Sequence, residues 1–225
     1  MKDDDMTQTF AQLGLSEDLV TALAKQGFNS PTPVQEAAIP LALTGKDILG
    51  SAQTGTGKTG AFGIPMVNHL LFNEDDTALI VTPTRELAAQ VEQSIKSFLP
   101  HRSGINTALI IGGDSMQKQL KQLSFNPRIV VGTPGRLNDH LSRRTLKLNN
   151  TSFLVLDETD RMLDMGFSIQ IEEIVSHMPP QRQTLLFSAT LPRNIMSLAK
   201  NYLNEPERIA TVSYTHLTLP TTRYV

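Results

Sequence analysis

Short apolar runs recur along the chain, and the stretches between them are long enough to form helices. The runs are nearly continuous in valine, isoleucine and leucine rather than alternating, which is typical of strands covered on both faces. They lie at residues 47–49, 78–81, 108–111, 129–131, 153–156 and 184–187. This order of strands and helices predicts an α/β protein with one doubly wound parallel sheet and helices on both faces.

A polar cluster follows each of these six runs. The clusters lie at residues 50–59, 82–88, 112–113, 132–137, 157–160 and 188–190. Parallel strands end at the same edge of a sheet, so we expect all six clusters to converge where open α/β sheets bind ligands. Ser16 and the pair Thr32-Pro33 predict two helix starts upstream, because a hydroxyl caps a helix and proline is favoured in its first turn.

The composition narrows the class of protein. With 40% apolar and 19% charged residues, and no apolar stretch of membrane-spanning length, the chain is typical of a soluble globular protein without a membrane partner. It has no cysteine, its five histidines are widely spaced, and its acidic amino terminus lacks an apolar segment. These features exclude disulfides and thiolate metal sites, argue against a histidine-bound metal and predict a cytoplasmic protein. Since the net charge is −2, any binding of nucleic acid must be local.

The first polar cluster carries the clearest chemistry. Residues 52–59 are Ala52, Gln53, Thr54, Gly55, Thr56, Gly57, Lys58 and Thr59. The two glycines let backbone N–H groups point into one concavity, the lysine adds positive charge, and the final threonine offers a hydroxyl to Mg²⁺. This pattern predicts the phosphate-binding loop of a P-loop NTPase, ahead of a helix at residues 60–71 whose positive end faces the phosphates. Ala52 replaces the usual glycine, and a glycine-rich surface turn is the alternative interpretation.

Two carboxylates end the apolar run at residues 153–156. Asp157 can hold Mg²⁺ through its water shell, and Glu158 can orient or deprotonate the water that attacks a terminal phosphate. A solvated acidic turn is the alternative, which the phosphate-binding loop disfavours. Lys58, Asp157 and Glu158 are therefore the candidate catalytic residues, and Thr59 and Asp157 the candidate ligands of the metal.

Residues 155–167 resemble the second motif of the DEAD-box RNA helicases. Residues 27–35 are similar to the adenine-reading Q motif of that family, with Phe10 as its isolated upstream aromatic residue. The family's RNA-contacting segments are matched by Pro83, Thr84 and Arg85, by Gly112 and Gly113, and by Thr133, Pro134, Gly135 and Arg136. Its coupling motif is matched by Ser188, Ala189 and Thr190, with Asp160 on the acidic strand end. The resemblance covers about residues 10–210 and implies the first of the family's two RecA-like domains.

The resemblance also implies a function. It indicates an RNA-dependent ATPase that couples ATP hydrolysis, with Mg²⁺, to local opening of RNA duplexes. It implies that Phe10, Phe28 and Gln35 contact the adenine of ATP. It also implies that RNA is bound through its backbone, with little sequence preference. The chain has no Asn-Lys-x-Asp segment, so we expect ATP to be preferred over GTP.

Several of these residues have simpler interpretations. Gln35 also completes a capping box with Thr32, and Arg85 can pair with Glu86 at a helix start. Residues 133–135 can be a turn with no further role, and Ser188 or Thr190 can cap a helix after Pro192. A DNA-directed or unrelated P-loop ATPase is a further alternative, which the segments around Gln35 and Asp157 disfavour.

The chain departs from the family pattern in three respects. Thr159 stands where the family usually has alanine; we expect metal binding and hydrolysis to be retained and the coupling to residues 188–190 to be affected. No second RecA-like domain follows residues 1–210, so a catalytically silent ATP- and RNA-binding module is the alternative function. Residues 211–225 are rich in threonine and match nothing expected of a linker. We expect this tail to be non-native and not to pack with the domain.

Overall fold

A computed structural model describes residues 8–53 and 55–210. Within this part of the chain, seven strands form one sheet in the order β3-β4-β2-β5-β6-β1-β7, and every neighbouring pair is parallel. The strands are β1 Ile48–Ser51, β2 Thr77–Val81, β3 Thr107–Ile110, β4 Ile129–Gly132, β5 Thr151–Leu156, β6 Gln183–Ser188 and β7 Glu207–Ala210. The predicted doubly wound parallel sheet is confirmed.

A short 3₁₀ helix and nine α-helices surround the sheet in the described residues. The 3₁₀ helix is Phe10–Leu13, and the α-helices are α1 Glu17–Lys25, α2 Pro33–Leu43, α3 Lys58–Phe72, α4 Arg85–Phe98, α5 Met116–Ser124, α6 Pro134–Ser142, α7 Thr159–Asp164, α8 Ser168–Ser176 and α9 Arg193–Tyr202. Ser16 and Thr32 precede α1 and α2, as the sequence predicts. The helix after the phosphate-binding loop begins at Lys58, two residues earlier than predicted.

The sheet separates two apolar cores. Successive strand residues point to opposite faces, so Val155 belongs to one core while Leu154 and Leu156 belong to the other. Helices α1 to α4 cover the first face, and α6 to α9 cover the second. Burial on both sides explains why the strand sequences are continuously apolar.

Strand β7 was not predicted from the sequence. It lies at the edge of the sheet beside β1, and Ile209 is its only buried residue. An edge strand that exposes three of its four residues has no apolar run, which is why the hydrophobic pattern missed it.

Some predictions fall outside these elements. Thr54 and the tail at residues 211–225 lie outside the described residues. Across residues 8–53 and 55–210, no helix is both long enough and apolar enough to cross a bilayer.

Candidate nucleotide site and adjoining groove

The polar loops after β1, β5 and β6 lie side by side at the carboxyl edge of the sheet. These three strands are neighbours in the sheet order, and their parallel pairing brings their ends together. The Ala52 N–H donates to the Ser188 carbonyl at 3.2 Å, which joins the first loop to the last. The fold therefore brings together the phosphate-binding loop, the loop at residues 157–160, called the acidic loop below, and residues 188–190.

Lys58 and Asp157 meet at the centre of this edge. Lys58 Nζ lies 3.9 Å from Asp157 Oδ1, and the side chains are only 6% and 4% exposed. Among the described residues, Lys58 Nζ has no hydrogen-bond partner. Burial raises the pKa of Asp157 to about 6, against the opposing effect of Lys58, and the nearby carboxylates of Glu158 and Asp160 add to the rise. A buried ammonium that lacks a hydrogen-bond acceptor, and a buried carboxylate whose burial the Lys58 charge offsets only in part, fit a phosphate and a hard divalent cation.

The loop that leads to Lys58 depends on its glycines. Gly55 and Gly57 have φ angles of 82° and 94°, in the left-handed region that favours glycine. A Cβ on Gly57 would also lie 2.6 Å from Thr32 Oγ1 and 2.8 Å from Gln35 Nε2, too close for any side chain. Thr56 Oγ1 donates to the carbonyl of Gln53 at 2.7 Å and closes the turn.

Gln35 joins the start of α2 to this loop. Its Oε1 accepts from the Thr32 N–H at 3.0 Å, and its Nε2 donates to the Gly57 carbonyl at 3.0 Å. The capping contact to the Thr32 N–H is therefore present, and the same amide holds the phosphate-binding loop. The contact with the loop was not predicted, because it joins positions 22 residues apart whose proximity depends on the fold. Adenine reading by Gln35 stays a prediction.

The two aromatic residues of the predicted adenine site lie in or against the apolar core. Phe10 is buried in the 3₁₀ helix, and Phe28 packs edge-on against Phe98 with ring centroids 5.3 Å apart. Both positions are explained by packing, and contact with a base stays a prediction for each. Thr59 lies in the first turn of α3, directly after Lys58.

Glu158 has an unusual backbone conformation. Its φ and ψ of 50° and 49° are left-handed, which costs a residue with a Cβ about 1–2 kcal/mol. Asp157 Oδ1 accepts from the Glu158 N–H at 2.9 Å, and Arg161 Nη1 lies 3.3 Å from Glu158 Oε2. Strain of this kind persists where surrounding contacts enforce it, and it is concentrated at functional sites.

Asp160 connects the acidic loop to residues 188–190. Its Oδ2 accepts from the Thr190 N–H and hydroxyl, both at 3.1 Å, and its own N–H donates to Ser188 Oγ at 3.3 Å. Although burial acts in the opposite direction, the hydrogen bonds that the Asp160 carboxylate accepts, chiefly from the Thr190 hydroxyl and the Arg161 N–H, hold the pKa of Asp160 below its ordinary value.

The capping alternative for Ser188 and Thr190 is wrong. Helix α9 begins at Arg193 after Pro192, and no side chain caps its first turn. The hydroxyls that the sequence offers as caps instead contact the acidic loop, because β6 ends beside β5.

Beside this site lies a groove of about 560 Å³. It is lined by residues from all three predicted RNA-contacting segments, by two carboxylate residues, Glu86 and Asp139, and by two apolar residues, Met165 and Phe167. The full lining is Pro83, Thr84, Arg85, Glu86, Gly112, Thr133, Gly135, Arg136, Asp139, Met165 and Phe167. The two apolar residues were not predicted to line a binding surface. They lie within the segment that resembles the second motif, but an apolar side chain there carries no signal that separates a groove from a core.

The guanidinium groups of Arg85 and Arg136 hold the loop after β3. Arg85 Nη1 donates to the Gly112 carbonyl at 3.1 Å. Arg136 donates through Nε to the Ile111 carbonyl at 3.2 Å and through Nη2 to the Asp114 carbonyl at 2.9 Å. The carbonyl groups of this loop therefore face the two arginines.

The two simpler interpretations of these segments are wrong. Residues 133–135 do not form only a turn, because α6 begins at Pro134, directly after Thr133. In the described residues Arg85 forms no ion pair with Glu86, so the alternative of a surface pair is also wrong. Thr84 Oγ1 accepts from the Leu87 N–H at 3.2 Å and caps α4.

Residues 32–198 match the model of the DEAD/DEAH box helicase family. The chain is 47% identical to the ATP-dependent RNA helicase CshA of Listeria monocytogenes over 201 residues, which are 89% of this chain and 38% of that protein. It is 46% identical to the DEAD-box ATP-dependent RNA helicase CshA of Bacillus subtilis over 205 residues, which are 91% of this chain and 41% of that protein.

A solved structure shows the same fold. The crystal structure of a DEAD box protein from the hyperthermophile Methanococcus jannaschii matches with a TM-score of 0.85 and 42% identity, covering 90% of this chain and 55% of that one. The chain thus spans about two-fifths of the length of the two curated relatives.

Proposed function

Because the chain belongs to the DEAD/DEAH box helicase family, we propose that it is the first RecA-like domain of an RNA-dependent ATPase, which couples ATP hydrolysis to local opening of RNA duplexes. The observation that supports this most directly is the buried pair of Lys58 and Asp157, whose charged atoms lie 3.9 Å apart beside a glycine loop. A structural ion pair alone would not explain an ammonium without a hydrogen-bond acceptor among the described residues.

The phosphates of ATP would bind at the amino end of α3. Gly55 and Gly57 keep the backbone curled, Lys58 supplies a buried positive charge, and the helix dipole favours an anion there. Thr59 and Asp157 would hold Mg²⁺, largely through water. The ion held by these residues would supply positive charge that offsets the charge developing on the phosphates during transfer.

Hydrolysis would depend on Glu158 and its supports. The left-handed backbone at Glu158 and the hydrogen bond from its N–H to Asp157 fix the start of α7, from which the Glu158 carboxylate can orient or deprotonate the attacking water. Asp160 then connects this loop to Ser188 and Thr190. Movement of residues 188–190 would in this way be transmitted to the hydrolytic residues.

RNA would bind along the groove at residues 83–85, 112–113 and 133–136. Arg85 donates one N–H to the Gly112 carbonyl, so other guanidinium N–H groups are left for phosphate oxygens. Backbone contacts of this kind carry little sequence information, and they weaken as salt displaces the protein from the phosphates.

The test is nucleotide binding by the 225-residue chain. We expect saturable binding of MgATP, followed with a fluorescent ATP analogue, and binding of MgGTP at least about tenfold weaker, because a site that hydrogen-bonds one base rejects another. Replacing Asp157 with Asn should weaken binding of MgATP more than binding of ATP in EDTA. The matched control is Asp75→Asn, on the opposite edge of the sheet. Equal affinities for ATP and GTP would contradict the adenine assignment.

A catalytically silent ATP- and RNA-binding module is the alternative function. Two arms of a phosphate-release assay separate the two functions: the chain alone, and the chain joined to the remaining sequence of a CshA relative, each with and without single-stranded RNA. Stimulation of the chain alone by RNA would reject the silent module. If the chain alone releases no phosphate and the joined protein does, the chain is a domain whose ATP hydrolysis requires residues from the joined sequence, such as arginines that face the phosphates.

A further inference from the structure

We infer that Thr159 is a positioning residue, whose hydroxyl ties the acidic loop to the segment that ends β6. Its consequence for catalysis rests on the proposed function, but the tie itself can be tested without nucleotide. Thr159 is the position at which the chain has threonine instead of the alanine usual in the family that it resembles.

The contacts of the Thr159 hydroxyl are specific. Its Oγ1 lies 3.2 Å from the Leu156 carbonyl, at the end of β5, and 3.2 Å from the Phe187 carbonyl, near the end of β6. A hydroxyl has one proton, so the two carbonyls share it. Thr159 is completely buried, and its hydroxyl joins the ends of the neighbouring strands β5 and β6, the second contact being one residue before Ser188.

The other contacts between these segments are more accessible to water. Asp160 Oδ2 meets the Thr190 N–H and hydroxyl where the pair is exposed, and the bond from the Asp160 N–H to Ser188 Oγ is partly buried. Water can replace an exposed partner at little cost, whereas a buried carbonyl that loses its donor has no such replacement. Of these contacts, the one from Thr159 to Phe187 is thus the hardest to open.

As a consequence, the acidic loop and residues 188–190 keep a fixed position relative to each other. With alanine at this position, the hydrogen bonds that join residues 157–160 to residues 187–190, beyond the paired strands β5 and β6, would be the accessible ones of Asp160, and the two loops could separate more easily. In the proposed function Thr159 would make Glu158 and Asp160 respond together with Ser188 and Thr190.

Amide hydrogen exchange of the 225-residue chain, followed by NMR, tests this directly. The variants are Thr159→Ala, Thr159→Val and Thr159→Ser. A net hydrogen bond of about 1 kcal/mol corresponds to about a fivefold change in an opening equilibrium, so the Asp160 and Thr190 amides should exchange about fivefold faster in the alanine and valine variants. Serine retains the hydroxyl and should restore slow exchange.

The matched control is Thr184→Val. Thr184 is also completely buried on β6, but its hydroxyl has no hydrogen-bond partner among the described residues, so its loss should leave both amides unchanged. Amides of the central strand β2 report global opening and should be unaffected in every variant.

Three results would overturn the inference: exchange at Asp160 and Thr190 within twofold of the wild type in Thr159→Val, equal acceleration of the β2 amides, or failure of serine to restore slow exchange. Binding of MgATP is measured on the same samples. If the unaltered chain binds no nucleotide, the proposed function fails while the exchange result still decides the role of Thr159.

Discussion

Several residues at the site have features that would be unfavourable in a purely structural role. Lys58 buries an ammonium without an acceptor among the described residues, Asp157 buries a carboxylate whose pKa is raised to about 6, and Glu158 has a left-handed backbone. Each of these costs free energy in the folded chain. All three are adjacent at one edge of the sheet, which is what a site prepared for a charged ligand requires.

Replacing Lys58 with Ala should therefore weaken MgATP binding at least about tenfold, since a charge-assisted contact with phosphate contributes about 1.5–3 kcal/mol. Titration with a fluorescent ATP analogue measures the change. The matched control is Lys121→Ala, an exposed lysine on α5. Unchanged affinity in the Lys58 variant would contradict the assignment of the phosphate site.

A second buried residue, His140, leads to a prediction about how the stability of the protein depends on pH. His140 is fully buried; its Nε2 lies 2.9 Å from Gln119 Oε1 and its Nδ1 lies 2.8 Å from Thr145 Oγ1. Burial lowers the pKa of His140, with Arg136 adding to the effect, so the folded ring stays neutral at a pH where an unfolded histidine, of pKa about 6.5, takes up a proton. The contribution of the buried, neutral His140 ring to the free energy of unfolding is therefore present above about pH 6.5 and is lost as the pH falls below that value.

We expect His140→Gln, which removes this titration, to have a shallower loss of unfolding free energy between pH 7 and pH 5 than the wild type. Urea unfolding at pH 5, 6 and 7 measures it. His101→Gln, at an exposed site, should keep the wild-type slope. Parallel curves for the wild type and the His140 variant would show that His140 does not contribute to acid sensitivity.

At the scale of elements, the groove is organised by the loop between β3 and α5. Gly113 has a φ of 79°, and a Cβ there would lie 1.8 Å from Arg85 Nη1, whereas a Cβ on Gly112 would meet nothing within 4 Å. The loop and the arginine at the start of α4 are therefore fitted to each other through one of the two glycines.

Replacing Gly113 with Ala should displace Arg85 and lower affinity for single-stranded RNA severalfold, and the left-handed backbone should lower stability by about 1–2 kcal/mol. Fluorescence anisotropy with a labelled oligonucleotide measures the affinity. Gly112→Ala is the matched control, with free space and no positive φ. Equal affinities of the two variants would show that the position of Arg85 does not matter for RNA.

The sequence predicts the elements that a local apolar run marks, and it does not predict the contacts between positions far apart in the chain. Six strands were predicted because burial on both faces makes them continuously apolar, and their order in the chain placed the polar loops at one edge. Strand β7 was missed because it buries a single side chain. The contacts of Gln35 with Gly57 and of Arg85 with Gly112 join positions 22 and 27 residues apart, so no local pattern contains them.

At the scale of the whole molecule, the two edges of the sheet have different roles. The carboxyl edge carries the candidate nucleotide site at the amino end of α3. At the opposite edge Arg128 binds the carboxyl end of the same helix: its guanidinium donates to the Leu70 carbonyl at 3.0 Å, to the Asp76 carbonyl at 3.0 Å and to the Asn73 carbonyl. A cation at this end satisfies carbonyl groups that have no partner within the helix and also interacts favourably with its dipole.

This separation predicts a variant that loses stability without losing function. Arg128→Met should lower the unfolding free energy by about 2–3 kcal/mol, because hydrogen bonds from a charged donor are lost and carbonyl groups are left partly unsatisfied. Affinity for MgATP should be unchanged at a temperature where the variant is folded, since about 20 Å of helix separates Arg128 from the phosphate-binding loop.

Urea unfolding and nucleotide titration on the same samples measure both effects, with the exposed Arg193→Met as the matched control. Arg128→Lys should recover only part of the stability, because an ammonium cannot reproduce the planar set of donors. A loss of nucleotide affinity in proportion to the loss of stability would instead show that the far end of α3 sets the geometry of the phosphate-binding loop.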